Sequence, residues 1–224
     1  MTSNTDYKSF IFDCDGVVLD SNRIKTDAFY RAAVNYGEAP AQKLVEFHVA
    51  NGGISRYRKF EYFFSEILHK TSWDRDLSIA LENYATFVRD GLLNCEIASG
   101  LHELREVTPE SRWLIVSGGD ENELREIFTM RGLIGYFDGG IFGSPTPKDV
   151  ILAREIARGN IPKPAVFLGD SRFDHQCADD AGLDFVFLSA WSEFKDWPEY
   201  FSDKNVTICS SIESLIAESS TKQK

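Results

Sequence analysis

Short apolar runs recur along this chain, each closed by glycine or a polar cluster and followed by a stretch with helical spacing. Phe10-Ile11-Phe12, Trp113-Leu114-Ile115-Val116, Val166-Phe167-Leu168 and Phe185-Val186-Phe187-Leu188 are of this kind. Runs this short, rich in aromatic and β-branched residues and bounded by turn formers, predict strands. Strands are expected over 8–12, 112–117, 140–142, 165–169 and 184–188, with a sixth over 206–209. Helices are expected over 121–131, 148–158 and 173–181, with a last one before the polar tail Ser219–Lys224, which should fray. Near-continuous apolar strands separated by helices predict an α/β fold, a doubly wound parallel sheet covered on both faces.

The stretch from about Ser21 to Leu93 breaks the alternation. It holds helical patterns over 23–36, 42–50, 55–70 and 74–92 without a convincing strand between them, and Ser72 and Asp74 suit the start of the last. The chain therefore divides into a core of residues 1–20 and 94–224 and a helical insert of residues 21–93. In a parallel sheet the ligand site lies at the carboxyl ends of the strands. An insert following the first strand sits beside that edge and is placed to cover it.

Polar residues gather at the same edge. Asp13 and Asp15 end the first strand two positions apart, where alternation holds both near one small volume. Two carboxylates so close repel unless a metal or a proton neutralises them. Gly16 then allows a sharp turn. The pattern Asp-x-Asp-Gly also occurs in surface turns and calcium loops, but a calcium loop of the EF-hand kind needs a glutamate at its twelfth position, which here is Ile24. A second acidic cluster, Gly169-Asp170-Ser171-Arg172-Phe173-Asp174, follows another apolar run, and Ser117 and Lys148 also fall at strand ends. The pair and the distant cluster together read as a metal-assisted reaction centre.

Composition narrows the classes. A net charge of −11 argues against a nucleic-acid surface, which needs clustered Lys and Arg. No apolar stretch approaches the roughly 18 residues of a membrane span, and the start Met1–Lys8 has no basic segment leading into an apolar core, so no signal peptide is expected. The four cysteines, Cys14, Cys95, Cys177 and Cys209, lack metal-ligand spacing and read as free thiols in a reducing cytoplasm. Cys14, by alternation, points away from its flanking aspartates.

Asp13-x-Asp15-Gly16-Val17, Ser117 after a strand, Lys148 before a helix and Gly169-Asp170-Ser171-x-x-Asp174, in that order, resemble the haloacid dehalogenase-like hydrolases over nearly the whole chain. The likeness is strongest to the phosphoglycolate phosphatase and β-phosphoglucomutase branch, with its Rossmann-like core and helical cap. The resemblance implies Asp13 as nucleophile forming an aspartyl-phosphate, and Asp15 as general acid and then base. It implies Mg²⁺ held by Asp13, Asp170 and the backbone carbonyl of Asp15. Ser117 and the Gly118 amide would bind phosphoryl oxygens, with Lys148 supplying charge. Asp174 would orient the metal-binding carboxylate from behind, and Arg56, in Asn51-Gly52-Gly53-Ile54-Ser55-Arg56, would touch substrate.

Each residue has a plainer reading. Ser117 could cap a turn, Lys148 and Arg56 could be exposed helix-start cations, and Asp174 a helix-start carboxylate. Arg23, His48 and Lys59 are further insert candidates without a motif, and His175 reads as a surface histidine. The aromatic stretch Trp191, Phe194, Trp197, Tyr200 and Phe201 fits core packing or a partner surface. Within the family, Asp15 favours a phosphatase: dehalogenation releases halide, which needs no proton, whereas a phosphate ester releases an alkoxide, which does. The expected function is Mg²⁺-dependent hydrolysis of a small phosphorylated metabolite such as a sugar phosphate. The alternatives are a phosphosugar mutase, disfavoured by Gly169 where that branch carries glutamate, and a non-catalytic phosphate-binding scaffold.

Overall fold

A computed structural model describes residues 7–221, with side chains to residue 217. The strands are β1 (Ser9–Phe12), β2 (Arg112–Asp120), β3 (Gly140–Ser144), β4 (Ala165–Gly169), β5 (Asp184–Leu188) and β6 (Thr207–Cys209). They form one parallel sheet in the order β3-β2-β1-β4-β5-β6. Strand order reverses at β1, which lies between β2 and β4, so the ligand crevice of such a sheet falls at the end of β1. The α/β doubly wound expectation holds.

Alternation sorts the sheet residues onto two cores. Phe10, Phe12, Trp113, Ile115, Val166 and Leu168 face one side, while Ile11, Leu114, Val116 and Phe167 face the other. The first core is covered by α5 (Leu101–Val107), α6 (Glu121–Met130) and α10 (Ile212–Thr221), and the second by α7 (Lys148–Ala157) and α8 (Arg172–Asp180). The aromatic stretch closes the second core: around the short α9 (Trp197–Tyr200), Phe201 is buried and Phe194, Trp197 and Tyr200 pack against it. It is core packing. His175 joins this cluster, half-buried beside Phe185 and Phe201, with Nδ1 3.1 Å from the Tyr200 hydroxyl.

Between β1 and α5 the α-helices are α1 (Asn22–Ala33), α2 (Glu38–Ala50), α3 (Arg56–Tyr62) and α4 (Asp74–Asn94). The helix expected over 55–70 is instead α3 followed by a wide π turn, Phe63–Ile67. Both Phe63 and Phe64 are fully buried, and a wider turn allows two consecutive rings to point inward. Helix α4 opens at Trp73, so Ser72 is not its cap, while Asp74 and Asp76 complement its dipole.

Strand β2 also differs from expectation. It continues through Gly118 and Gly119 to Asp120, where a turn was expected. The glycines serve close approach: a Cβ at Gly143 would lie 2.4 Å from the Gly119 carbonyl oxygen, and the Ser144 hydroxyl donates to the Gly118 and Gly119 carbonyls. The fraying tail has α10 running to Thr221, with residues 222–224 outside those described, as are residues 1–6 of the start read for a leader.

Candidate active site

Asp13 extends the β1 ladder by one residue, its amide donating to the Leu168 carbonyl at 2.9 Å. That bond sets it level with the end of β4, so Asp170 stands beside it. Gly16 turns the chain with φ +73°, and a Cβ there would lie 2.2 Å from an Asp170 carboxylate oxygen. A side chain at this position is excluded by the acidic cluster itself. Carboxylate oxygens of Asp13, Asp170 and Asp174 lie within 4.8 Å of one another, all buried.

Asp174 has other commitments. Ser171 caps α8, its hydroxyl accepting from the Asp174 amide, while Asp174 Oδ2 accepts from the Ser171 amide and hydroxyl. The other oxygen, Oδ1, takes the Lys148 ammonium at 2.5 Å. Lys148 is 1% exposed at the first position of α7, where the helix dipole disfavours a cation. It is stabilised there by Asp174 and by Asp13 Oδ2 at 2.9 Å. Although burial opposes its charge, these two carboxylates raise its affinity for the proton above that of an ordinary lysine.

Burial, opposed by Lys148 and reinforced by Asp174 and Asp15, pushes the Asp13 carboxyl up to about 7. Burial with Asp174 and Asp13 pushes Asp170 well above the usual carboxylate range. Both therefore sit where negative charge is under-compensated by the protein. The all-oxygen donor set and that deficit fit a hard divalent cation such as Mg²⁺.

Asp15 faces the insert. Its Oδ1 accepts from the Ser21 hydroxyl at 2.6 Å and its Oδ2 from Lys25 at 2.5 Å. Burial alone would raise its pKa, but Lys25 and Ser21 outweigh burial and lower it. Cys14 lies buried between the aspartates, its thiol pushed well up by burial. Its amide donates to Asp13 Oδ1 at 2.7 Å.

A cavity runs from Asp13, Asp15, Gly118 and Asp170 to the underside of the insert at Lys25, His48, Arg56 and Lys59. The insert is closed onto the sheet edge. Arg56 pairs through both terminal nitrogens with Glu123 of α6, and the Tyr57 hydroxyl donates to Asp120 at 2.7 Å. Asn22 donates to Asp170 and to the Trp191 carbonyl. At the insert loop, Gly53 abuts Gly118, where an added Cβ would lie 2.3 Å from the Gly53 carbonyl oxygen.

The structure thus gathers Asp13, Asp15, Asp170, Asp174 and Lys148 at one strand edge, with Gly118 on the cavity wall. Ser117 does not line that wall. It is fully buried, and its Oγ accepts from the Gly119 amide at 3.1 Å within β2. Arg56 lines the cavity with its guanidinium engaged by Glu123. Among the insert candidates, His48 and Lys59 line the cavity and Arg23 is exposed. Sequence reasoning missed Lys25 and Asn22. The available signal was a lysine heading the buried stripe of α1: Lys25, Ala28, Phe29, Ala32 and Ala33.

The model of the haloacid dehalogenase-like hydrolase family matches residues 7–182, and the chain belongs to that family. No curated protein matches the chain. Among solved structures, a candidate phosphoglycolate phosphatase from Lactobacillus plantarum superposes with TM-score 0.70 at 21% identity, covering 95% of this chain and 99% of that one. A β-phosphoglucomutase from Clostridium difficile gives 0.68 at 18% identity over 96% and 98% of the two chains. The magnesium-bound hydrolase YfnB from Bacillus subtilis, for which interdomain movement is described, gives 0.63 at 17% identity over 96% and 99%. Both branches named from the motifs are therefore represented among chains of the same fold.

Proposed function

We propose that this hydrolase is a Mg²⁺-dependent phosphomonoesterase acting on a small phosphorylated metabolite through an aspartyl-phosphate on Asp13. The observation that carries the reading is the grip of Lys148 on Asp13 inside a buried cluster of acidic side chains, facing a cavity closed by the insert. Asp13 and Asp170, with the Asp15 carbonyl, would hold Mg²⁺, whose charge lets an anionic carboxylate approach an anionic phosphate.

In this mechanism Asp13 Oδ attacks phosphorus as the ester P–O bond breaks, and Asp15, which must first take up a proton against the pull of Lys25 and Ser21, delivers it to the departing alkoxide. Asp15, now a carboxylate, takes a proton from water as that water attacks the phosphorus and frees Asp13. Lys148 and the Gly118 amide stabilise the phosphoryl oxygens, with Ser117 fixing the backbone that presents them. Asp174 holds Lys148 in place, and Arg56 contacts the part of the substrate that lies under the insert. Residues 21–93 act as a cap over the core of residues 1–20 and 94–224, excluding bulk water when closed.

Gly169 supports hydrolysis over the mutase alternative. A Cβ there would stand 2.4 Å from the Asp174 Cβ, so the glutamate of the mutase branch has no room while Asp174 anchors Lys148. No helix among the described residues is long and apolar enough to cross a membrane. The free thiols of Cys14, Cys95 and Cys177 support a reducing, cytoplasmic setting.

The test is free-phosphate release with Mg²⁺ from a panel of phosphorylated sugars, sugar acids and nucleotides. Strong release from one compound class is expected, and Asp13→Asn should abolish it with the fold intact by circular dichroism. Full activity in that variant would refute the mechanism. Silence across the panel from folded protein would favour the mutase or the scaffold.

A further inference from the structure

The insert end of the cavity carries a charge that the protein does not balance. Lys25 is paired with Asp15, Arg56 with Glu123, and Lys148 with Asp13 and Asp174. Lys59 is 2% exposed, and among the described residues no carboxylate pairs with it. Its ammonium donates to His48 Nδ1 at 2.7 Å, with the His48 carbonyl at 3.5 Å. Because Nδ1 accepts from lysine, the proton of the neutral ring sits on Nε2. That Nε2 is buried and has no hydrogen-bond partner. A buried ammonium held only by the neutral His48 residue and, 5.5 Å away, the face of Phe29, beside a buried N–H donor satisfied by nothing, is costly unless an anion completes it.

We propose that the insert end of the cavity is an anion subsite, in which Lys59, set by His48, receives a carboxylate or a second phosphate borne by the same substrate whose ester phosphate meets Asp13. The inference rests on the phosphomonoesterase reading for the placement of that first phosphate. A neutral polyol would leave the lysine's charge unbalanced, whereas an oxyanion balances it. Other charged groups act on the same spot: Lys25 and Lys148 repel the ammonium, and Asp15 and Glu193 attract it without contact. The Glu193 carboxylate is itself engaged by the Thr26 hydroxyl at 2.8 Å. Burial, with Lys25, lowers the Lys59 pKa to about 7, so an arriving anion would draw a proton onto it at pH 8.

Binding to non-hydrolysable ligands tests the subsite independently of turnover. With Mg²⁺ present, calorimetry compares methylphosphonate, phosphonoacetate and ethylenebisphosphonate. At least one of the doubly anionic ligands should bind about 30-fold more tightly than methylphosphonate, as expected for one charged hydrogen-bonded contact. The one preferred identifies the second group as carboxylate or phosphate. Lys59→Met should bring that preference within about threefold and abolish the proton uptake, read as a buffer-dependent enthalpy at pH 8. Equal binding of all three ligands by the wild type would overturn the subsite. So would a preference that survives both Lys59→Met and Lys59→Gln, and if neither variant folds, the wild-type comparison decides. Tight, Lys59-dependent binding without phosphate release from the corresponding esters would refute the phosphatase reading and leave the subsite standing.

Discussion

The two walls of the cavity are built on opposite principles. The sheet edge presents Asp13, Asp15 and Asp170, carried on the turns that follow β1 and β4, with Asp174 buried behind them in the first turn of α8. The insert presents Lys25, His48, Arg56 and Lys59, carried on helices α1, α2 and α3. Each wall alone is electrostatically unfavourable, and closure brings them into register through Lys25 with Asp15 and Arg56 with Glu123. The acidic wall sets up one reaction centre by crowding like charges. The basic wall offers three cations beside the neutral His48 ring: Lys25 and Arg56 have carboxylate partners, and among the described residues Lys59 has none. In the function we propose, chemistry is thus concentrated on the sheet side and recognition on the insert side.

The largest effect should come from Lys148, the cation gripped by Asp13 and Asp174 within the acidic wall. Lys148→Met leaves Asp13 and Asp174 unpaired in a buried site, and should lower kcat for phosphate release roughly a hundred- to a thousandfold. It should also cost roughly 3–5 kcal/mol of metal-free stability, measured by urea unfolding. Next is Lys25, the bridge between the walls. Lys25→Met should lower kcat by about a hundredfold, with partial recovery in Lys25→Arg; equal loss in both would separate charge from the geometry that places Asp15.

Gly118→Ala tests closure itself. Its Cβ meets the Gly53 carbonyl oxygen at 2.3 Å, so the insert must back away, and kcat should fall about tenfold with little change in Tm. Unchanged kinetics would show that the contact is not needed for turnover.

The last change concerns stability alone and leaves the reaction centre untouched. The Lys59 pKa is depressed by burial and Lys25 to about 7, so the folded state binds fewer protons than the unfolded chain between about pH 7 and the ordinary lysine value of 10.5. Wild-type stability contributed by this group therefore rises with pH across that window. Lys59→Met should be more stable than wild type at pH 6, by an amount on the order of 3–5 kcal/mol, and the advantage should shrink towards pH 10. A pH-independent difference would place a counter-charge beside Lys59.

The acidic wall was more legible in the sequence than the basic wall, where Arg56 had a motif behind it, His48 and Lys59 were candidates without one and Lys25 was missed, and the reason is physical. Strand-end residues announce themselves through period-two alternation and the turn glycine beside them, so Asp13, Asp15 and Asp170 could be placed at one edge before any coordinates. A helix repeats every 3.6 residues, and a lysine on its buried face, such as Lys25 or Lys59, interrupts the apolar stripe by one position without a local signature. The extension of β2 through Gly118 and Gly119 escaped for the opposite reason. Paired glycines signal turns, and only the facing strand shows that they serve close packing. Ser117 was read as a phosphate ligand from the family resemblance, and in the structure its buried Oγ accepts from the Gly119 amide while its own proton stays available to donate.

The adjacency of β1 and β4 also has a consequence for the growing polypeptide. Asn22 and Asp170, bonded in the finished protein, are 148 positions apart. A ribosome that has reached residue 160 has made Asp13, the whole insert and Lys148, but neither Asp170 nor Asp174. Until β4 docks beside β1, Asp13, the nucleophile we propose, is an ordinary acid on an unfinished sheet. Reactivity is therefore withheld from the nascent chain and arrives with one late, long-range strand pairing.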